Sequence, residues 1–147
     1  MSKVLGIDFG DRRTGVAVSD EARVIAFPRE ILECSQVEQA AAAVARLAAA
    51  EGAGAIVVGY PLNMDGSRGP RAERTELFMA ELAKRTDIPL KRWDERLSTR
   101  MAEAVLIEAG ARRQKRKGVV DKLAAQIILQ SYLDAGGGGV AEEEPEW

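Results

Sequence analysis

The chain has no histidine and one cysteine, Cys34, in 147 residues. The missing histidine removes Ser-His-Asp and Cys-His catalysis, imidazole general bases and every zinc site that includes an imidazole. A single cysteine removes an all-cysteine zinc site and any disulfide within one chain, which fits a reducing cytoplasm. Aromatic residues are scarce at 5%, so platforms for base stacking are few. The longest stretch without a charge, Gly52 to Met64, is too short and too interrupted by glycine and proline to span a bilayer. The opening MSKVLGID runs directly into a strand pattern with no signal peptide before it, so no membrane partner is expected. A hydrolase of this composition is left with carboxylates and hard, oxygen-bound metals.

Hydrophobic residues at 46% and charged residues at 30% describe a globular domain of ordinary core size. The formal net charge of −2 conceals an asymmetry. The last twelve residues, GGGGVAEEEPEW, hold four of the 23 acidic side chains and no base, leaving 19 acidic against 21 basic in the body. Residues 1–135 therefore read as one mildly basic domain. Residues 136–147 read as a glycine-rich, then acidic tail without fixed structure.

The first third carries strand patterns: Val4–Phe9, Gly15–Ser19 and Val24–Phe27, the last resuming at Ile31-Leu32 beyond Pro28. Tight polar connections between them predict an antiparallel meander. Ser35-Gln36-Val37-Glu38 has the form of a capping box and opens an alanine-rich helix to about Glu51, stopped by Gly52 and Gly54. AIVVGY (55–60) is a continuous apolar run, as expected of a central strand covered on both faces. After the turn-rich loop 61–71 come a helix over 72–85, a strand over 88–93, a helix over 98–109 stopped by Gly110, and a last helix over 120–135. The order βββαβαβαα predicts an α/β fold: a five-stranded mixed sheet, three strands antiparallel and then two parallel, flanked by helices.

Asp8 lies between Ile7 and Phe9 near the end of the first strand. An ionised carboxylate among apolar neighbours is costly without a donor, a cation or a metal. Four motifs then form a pattern: GIDFGDRRTGVAVSD (6–20), VVGYPLNMDGSRG (57–69), DERLST (94–99) and VDKLAAQIILQSYL (120–133). Together they resemble the YqgF family, also called RuvX or Holliday junction resolvase-like proteins and associated with pre-16S rRNA nuclease activity. The resemblance runs from Val4 to about Asp134. It implies a ribonuclease H-like fold and a metal-dependent endonuclease related to the RuvC resolvases, with an acidic triad at Asp8, Glu95 and Asp121.

Taken singly, each acid has an ordinary structural explanation: a turn cap for Asp8, an ion-paired loop entrance for Asp94-Glu95, a helix-start carboxylate for Asp121. Strand alternation allows only one of Asp94 and Glu95 to share a face with Asp8. If the three acids converge, their mutual repulsion is relieved by a divalent cation. Two Mg²⁺ or Mn²⁺ ions about 4 Å apart would suit phosphodiester hydrolysis without a histidine base.

The run ARRQKRKG places Arg112, Arg113, Lys115, Arg116 and Lys117 within six positions just before Asp121. It reads either as a solvated charge run or as a phosphate clamp giving sequence-independent affinity. Arg12, Arg13, Arg68 and Arg71 fall in loops able to border the same cleft. Asn63, Asp65 and Ser67 are candidates to orient substrate, or simply form a turn. The expected partner is nucleic acid, either precursor ribosomal RNA or branched DNA. A homodimer is expected if the substrate is a symmetric junction. A non-catalytic nucleic-acid or ribosome-binding module with the same fold is the alternative; a nucleotide-binding ATPase of the actin type needs far more chain.

Overall fold

The computed structural model describes residues 2–97 and 113–137, with the side chains of 113–122 and 137 outside that description. The elements follow in order: β1 (Val4–Asp8), β2 (Arg13–Ser19), β3 (Ala26–Glu33), α1 (Val37–Glu51), β4 (Ala55–Tyr60), α2 (Pro70–Ala83), β5 (Leu90–Asp94) and α3 (Arg113–Tyr132), which runs on into a short π-helical turn, Leu133–Gly137. The strands form one sheet in the order β3-β2-β1-β4-β5. β1 runs antiparallel to β2 and parallel to β4, and β4 runs parallel to β5. The mixed sheet expected from the element order is the one found.

Alternation along the strands divides the core in two. Leu5, Ile7, Val16, Val18, Ile56 and Val58 face α1 and α2, packing on Ala40, Val44, Phe78 and Leu82. Val4, Ala17, Ala55 and Val57 face α3, packing on Ala125, Ile128, Leu129 and Tyr132. The strand AIVVGY is buried along its whole length, as a run without polar alternation requires. Phe9 stacks on Phe78 at 4.6 Å between ring centroids, joining the end of β1 to α2.

Gly6 lets α3 lie directly on the sheet. A Cβ at that position would stand 2.6 Å from Leu129 Cβ and 3.2 Å from the Ala125 carbonyl oxygen. α3 is also fastened to the start of β3 by glutamines. Gln126 donates to the Ala26 carbonyl at 3.0 Å, and the Gln130 side chain accepts from the Ala26 amide at 2.9 Å.

Local boundaries differ from expectation for identifiable reasons. The capping box does not form: Gln36 takes the N-cap position without a side-chain bond. Glu38 is consequently the second helical residue instead of the third, too early to reach back. α2 begins at Pro70, whose fixed φ and missing N–H suit the first helical position. β3 continues through Pro28, which is tolerated because the strand is a sheet edge. Val16 pairs with Glu30 and Ala17 with Pro28, leaving Arg29 as a bulge. α3 begins at Arg113, so Arg113, Lys115, Arg116 and Lys117 belong to a helix and not to a preceding loop.

The helix expected over 98–109 with its stop at Gly110, Arg112, and the tail from 138 onward lie outside the described residues. Among the described residues no helix is long and apolar enough to cross a membrane.

Candidate active site

Asp8 closes β1 on the α3 side of the sheet, two residues beyond Gly6. β4 lies beside β1, with Ile7 opposite Val58, and β5 lies beside β4, with Gly59 opposite Trp93 and Tyr60 opposite Asp94. The chain leaving β5 then brings Glu95 back over Gly59. A Cβ on Gly59 would sit 3.0 Å from Glu95 Cγ and 2.6 Å from Ile128 Cδ1. Glycine at 59 therefore makes room for Glu95 and for α3 at once.

In that space the carboxyls of Glu95 and Asp8 are hydrogen-bonded to each other. Burial pushes the Glu95 carboxyl up, the negative charge of Asp8 pushes it further, and the Arg71 guanidinium offsets part of the shift. The result is a pKa of about 7 for Glu95, far above an ordinary glutamate. Two oxygen-donor side chains held together against their own repulsion fit a hard divalent cation, which would take the place of the shared proton. Among the described residues no set of three potential ligands comes together.

Asp121 lies on α3, one turn before Ala125, the residue whose carbonyl abuts Gly6. Its side chain, like those of Arg113, Lys115, Arg116 and Lys117, lies outside the described residues.

Asp94 and Glu95 separate as strand alternation requires. Asp94 turns away from Asp8 and binds Arg96: Oδ1 accepts from the Arg96 backbone amide at 2.9 Å, and Oδ2 from Nε at 2.9 Å and Nη2 at 2.6 Å. This charge-assisted fork holds the Asp94 carboxyl below the usual aspartate range.

Arg71, in the first turn of α2, is exposed and lies close enough for its charge to act on Glu95. Arg12 and Arg13 are exposed where the chain turns from β1 into β2. Gly10 permits that turn, since a Cβ there would come within 2.5 Å of the Arg13 carbonyl oxygen.

Arg68 is placed elsewhere. It is ion-paired to Glu76 of α2, which also accepts from the Tyr60 hydroxyl at 2.6 Å, on the sheet face opposite Asp8. Asn63, Asp65 and Ser67 bond mainly to one another. Ser67 donates to Asp65 Oδ1 from its amide at 2.9 Å and its hydroxyl at 2.6 Å, while Asn63 Nδ2 donates to Ser67 Oγ at 3.0 Å.

Three residues important to this site went unread in the sequence. Gly6 and Gly59 give no signal beyond interrupting apolar strands. Arg96 is announced only by following Asp94 at the two-residue spacing of a side-chain-to-backbone turn.

The geometry has counterparts. The family model described as "RuvX: Holliday junction resolvase" matches residues 2–135. A protein of Halothermothrix orenii named "Putative pre-16S rRNA nuclease" is 50% identical over 132 residues, covering 90% of this chain and 94% of the relative. One of the same name from Symbiobacterium thermophilum is 46% identical over 133 residues, covering 90% and 92%. Among solved structures, Thermus thermophilus RuvC in complex with a Holliday junction substrate superposes with a TM-score of 0.60 at 17% identity. That match covers 92% of this chain and 97% of RuvC, a likeness of fold. Nearly the whole chain takes part in these matches, and it belongs to the RuvX family, on the ribonuclease H-like fold that RuvC shares.

Proposed function

We propose that this protein is a divalent-metal-dependent endonuclease that hydrolyses phosphodiester bonds in structured nucleic acid. Precursor 16S ribosomal RNA and the four-way DNA junction are the two substrates that the names of its relatives suggest, and in the RNA the 5′ end is the expected site of cutting. The observation that carries the reading is the Asp8–Glu95 pair, two carboxyls brought together across β4 from the ends of β1 and β5. A protein does not retain such repulsion for stability, and a phosphodiesterase has a use for it.

Asp8 and Glu95 would hold the metal, with Asp121 approaching from α3 as the third ligand. Bound Mg²⁺ or Mn²⁺ supplies charge stabilisation to the scissile phosphate and a lowered pKa for water. The chain itself does the positioning. β1 and β5 fix the two carboxylates, and Gly59 keeps the floor beneath Glu95 open. Arg71 adds positive potential where a phosphate would arrive. Arg112, Arg113, Lys115, Arg116 and Lys117 bind flanking phosphates without reading bases, and Arg12 and Arg13 extend that surface along the β1–β2 turn. Hydrolysis leaves a 5′ phosphate, and a ribosomal RNA substrate places the work in the cytoplasm.

The test is cleavage of a four-way DNA junction and of a precursor ribosomal RNA, side by side, by wild type, Asp8→Asn and Glu95→Gln with Mg²⁺ or Mn²⁺. Each substitution should lower the rate roughly a hundredfold or more on whichever substrate is cut. Equal cutting by wild type and Asp8→Asn would assign the activity to a contaminant and leave a nucleic-acid-binding module.

A further inference from the structure

Arg96 lies one residue beyond Glu95 and reaches in the other direction. Asp94 grips it on one side through Nε, Nη2 and the backbone amide. The remaining nitrogen, Nη1, donates to the Met64 carbonyl at 3.4 Å and lies 3.5 Å from where a Cβ on Gly66 would be. The Asp65 carboxylate adds its charge to the same guanidinium.

The 61–69 loop is a preformed body. The Asn63 amide donates to the Ser67 carbonyl at 2.9 Å, and the Gly66 amide to the Asn63 carbonyl at 2.8 Å. Gly66 adopts φ +87°, a value that favours glycine. Met64 projects from it, 84% exposed. At its far end Arg68 is tied to Glu76. These internal bonds are local and exposed, so they open more often once the loop is no longer held against the sheet.

We infer that Arg96, clamped by Asp94, is a positioning residue that latches the 61–69 loop, which leaves the end of β4 between the ends of β1 and β5, so that the loop meets the nucleic acid in the cleft a nuclease would need at that end of the sheet. The inference deepens the nuclease reading and rests on it for the word cleft; the latch itself does not. The guanidinium is needed for its shape as well as its charge. One ammonium cannot hold both Asp94 oxygens and the Met64 carbonyl at once.

The experiment uses the full chain with Arg96→Ala and Arg96→Lys, and reads amide hydrogen exchange without substrate beside steady-state cleavage. In both variants exchange at Gly66 and Ser67 should quicken roughly tenfold, the scale of one lost charge-assisted bond, while β1 and β4 amides and the Tm stay as in wild type. KM should rise by a similar factor with kcat changed far less, because the loop orders substrate and does not touch the reacting atoms.

Unchanged loop exchange in Arg96→Ala would overturn the latch. Wild-type behaviour of Arg96→Lys would overturn the guanidinium fork, and faster exchange throughout the sheet would reduce Arg96 to a general stabiliser. If wild type cuts neither nucleic acid, the nuclease reading fails, while the exchange data still decide the latch.

Discussion

At the scale of single residues, the pair Asp8–Glu95 makes this protein's stability depend on pH in an unusual direction. Glu95 titrates at about 7 in the folded chain against an ordinary 4.5. Between those values the folded protein keeps a proton that the unfolded chain has released, so stability falls as pH rises through the window. The loss reaches roughly 3 kcal/mol in metal-free protein. Glu51, Glu76 and Glu81 are shifted downward by cationic and hydroxyl partners, so their stabilisation is complete above 4.5 and does not enter. Urea unfolding in chelator from pH 4.5 to 7.5 should show this slope for wild type and little of it for Glu95→Gln; equal slopes would place the shift elsewhere. Asp8 was legible from the sequence because a charge between Ile7 and Phe9 needs an explanation. Its meeting with Glu95 was legible only through strand alternation and family resemblance. Arg96 was not, since an arginine after two acids looks like any surface ion pair until its second contact, thirty-two residues away, is known.

At the scale of elements, the sheet could be read from apolar runs, whereas the ends of helices could not. AIVVGY announces a doubly covered strand, and Gly52 a helix end, realised at φ +64°. The capping box had the right residues, yet the helix starts one residue late for it, because Gln36 takes the N-cap place. Motif chemistry is blind to such a register shift. Patterning is equally silent about which helix approaches a strand closely. Gly6 and Gly59 both lie beneath α3, and each added methyl would intrude to 2.6 Å of a neighbouring carbon. Gly6→Ala should destabilise the fold by roughly 1–3 kcal/mol through overpacking on Leu129, seen as a lower urea midpoint. Gly59→Ala meets only the movable tip of Ile128 and the stem of Glu95, so it should destabilise less but displace Glu95, and its cleavage rate should fall further than that of Gly6→Ala. Matched losses in the two variants would mean that the floor under Glu95 carries no catalytic weight.

At the scale of the whole molecule, β1 and β5 meet at one charged point with β4 between them, so ligand binding there couples to global unfolding. A divalent ion bound only by the folded chain should add about 2.7 kcal/mol at a hundredfold excess over its Kd. Calorimetry should record this as a higher Tm for wild type with Mg²⁺ or Mn²⁺, and as little change for Glu95→Gln. The same rise in both would show that the ions bind away from the pair.

The outer sheet edge sets another limit on the molecule. β3 exposes Phe27, and the turn before it exposes Val24 and Ile25, apolar groups that could attract a neighbouring copy. Pro28 withholds an amide in mid-strand, and the bulged Arg29 engages Glu30 and Glu51 of its own chain. The margin is thereby guarded against fibre growth and strand-by-strand polymerisation. A twofold assembly able to cut both arms of a symmetric junction would therefore join its copies by packing side chains and not by pairing β3 with β3.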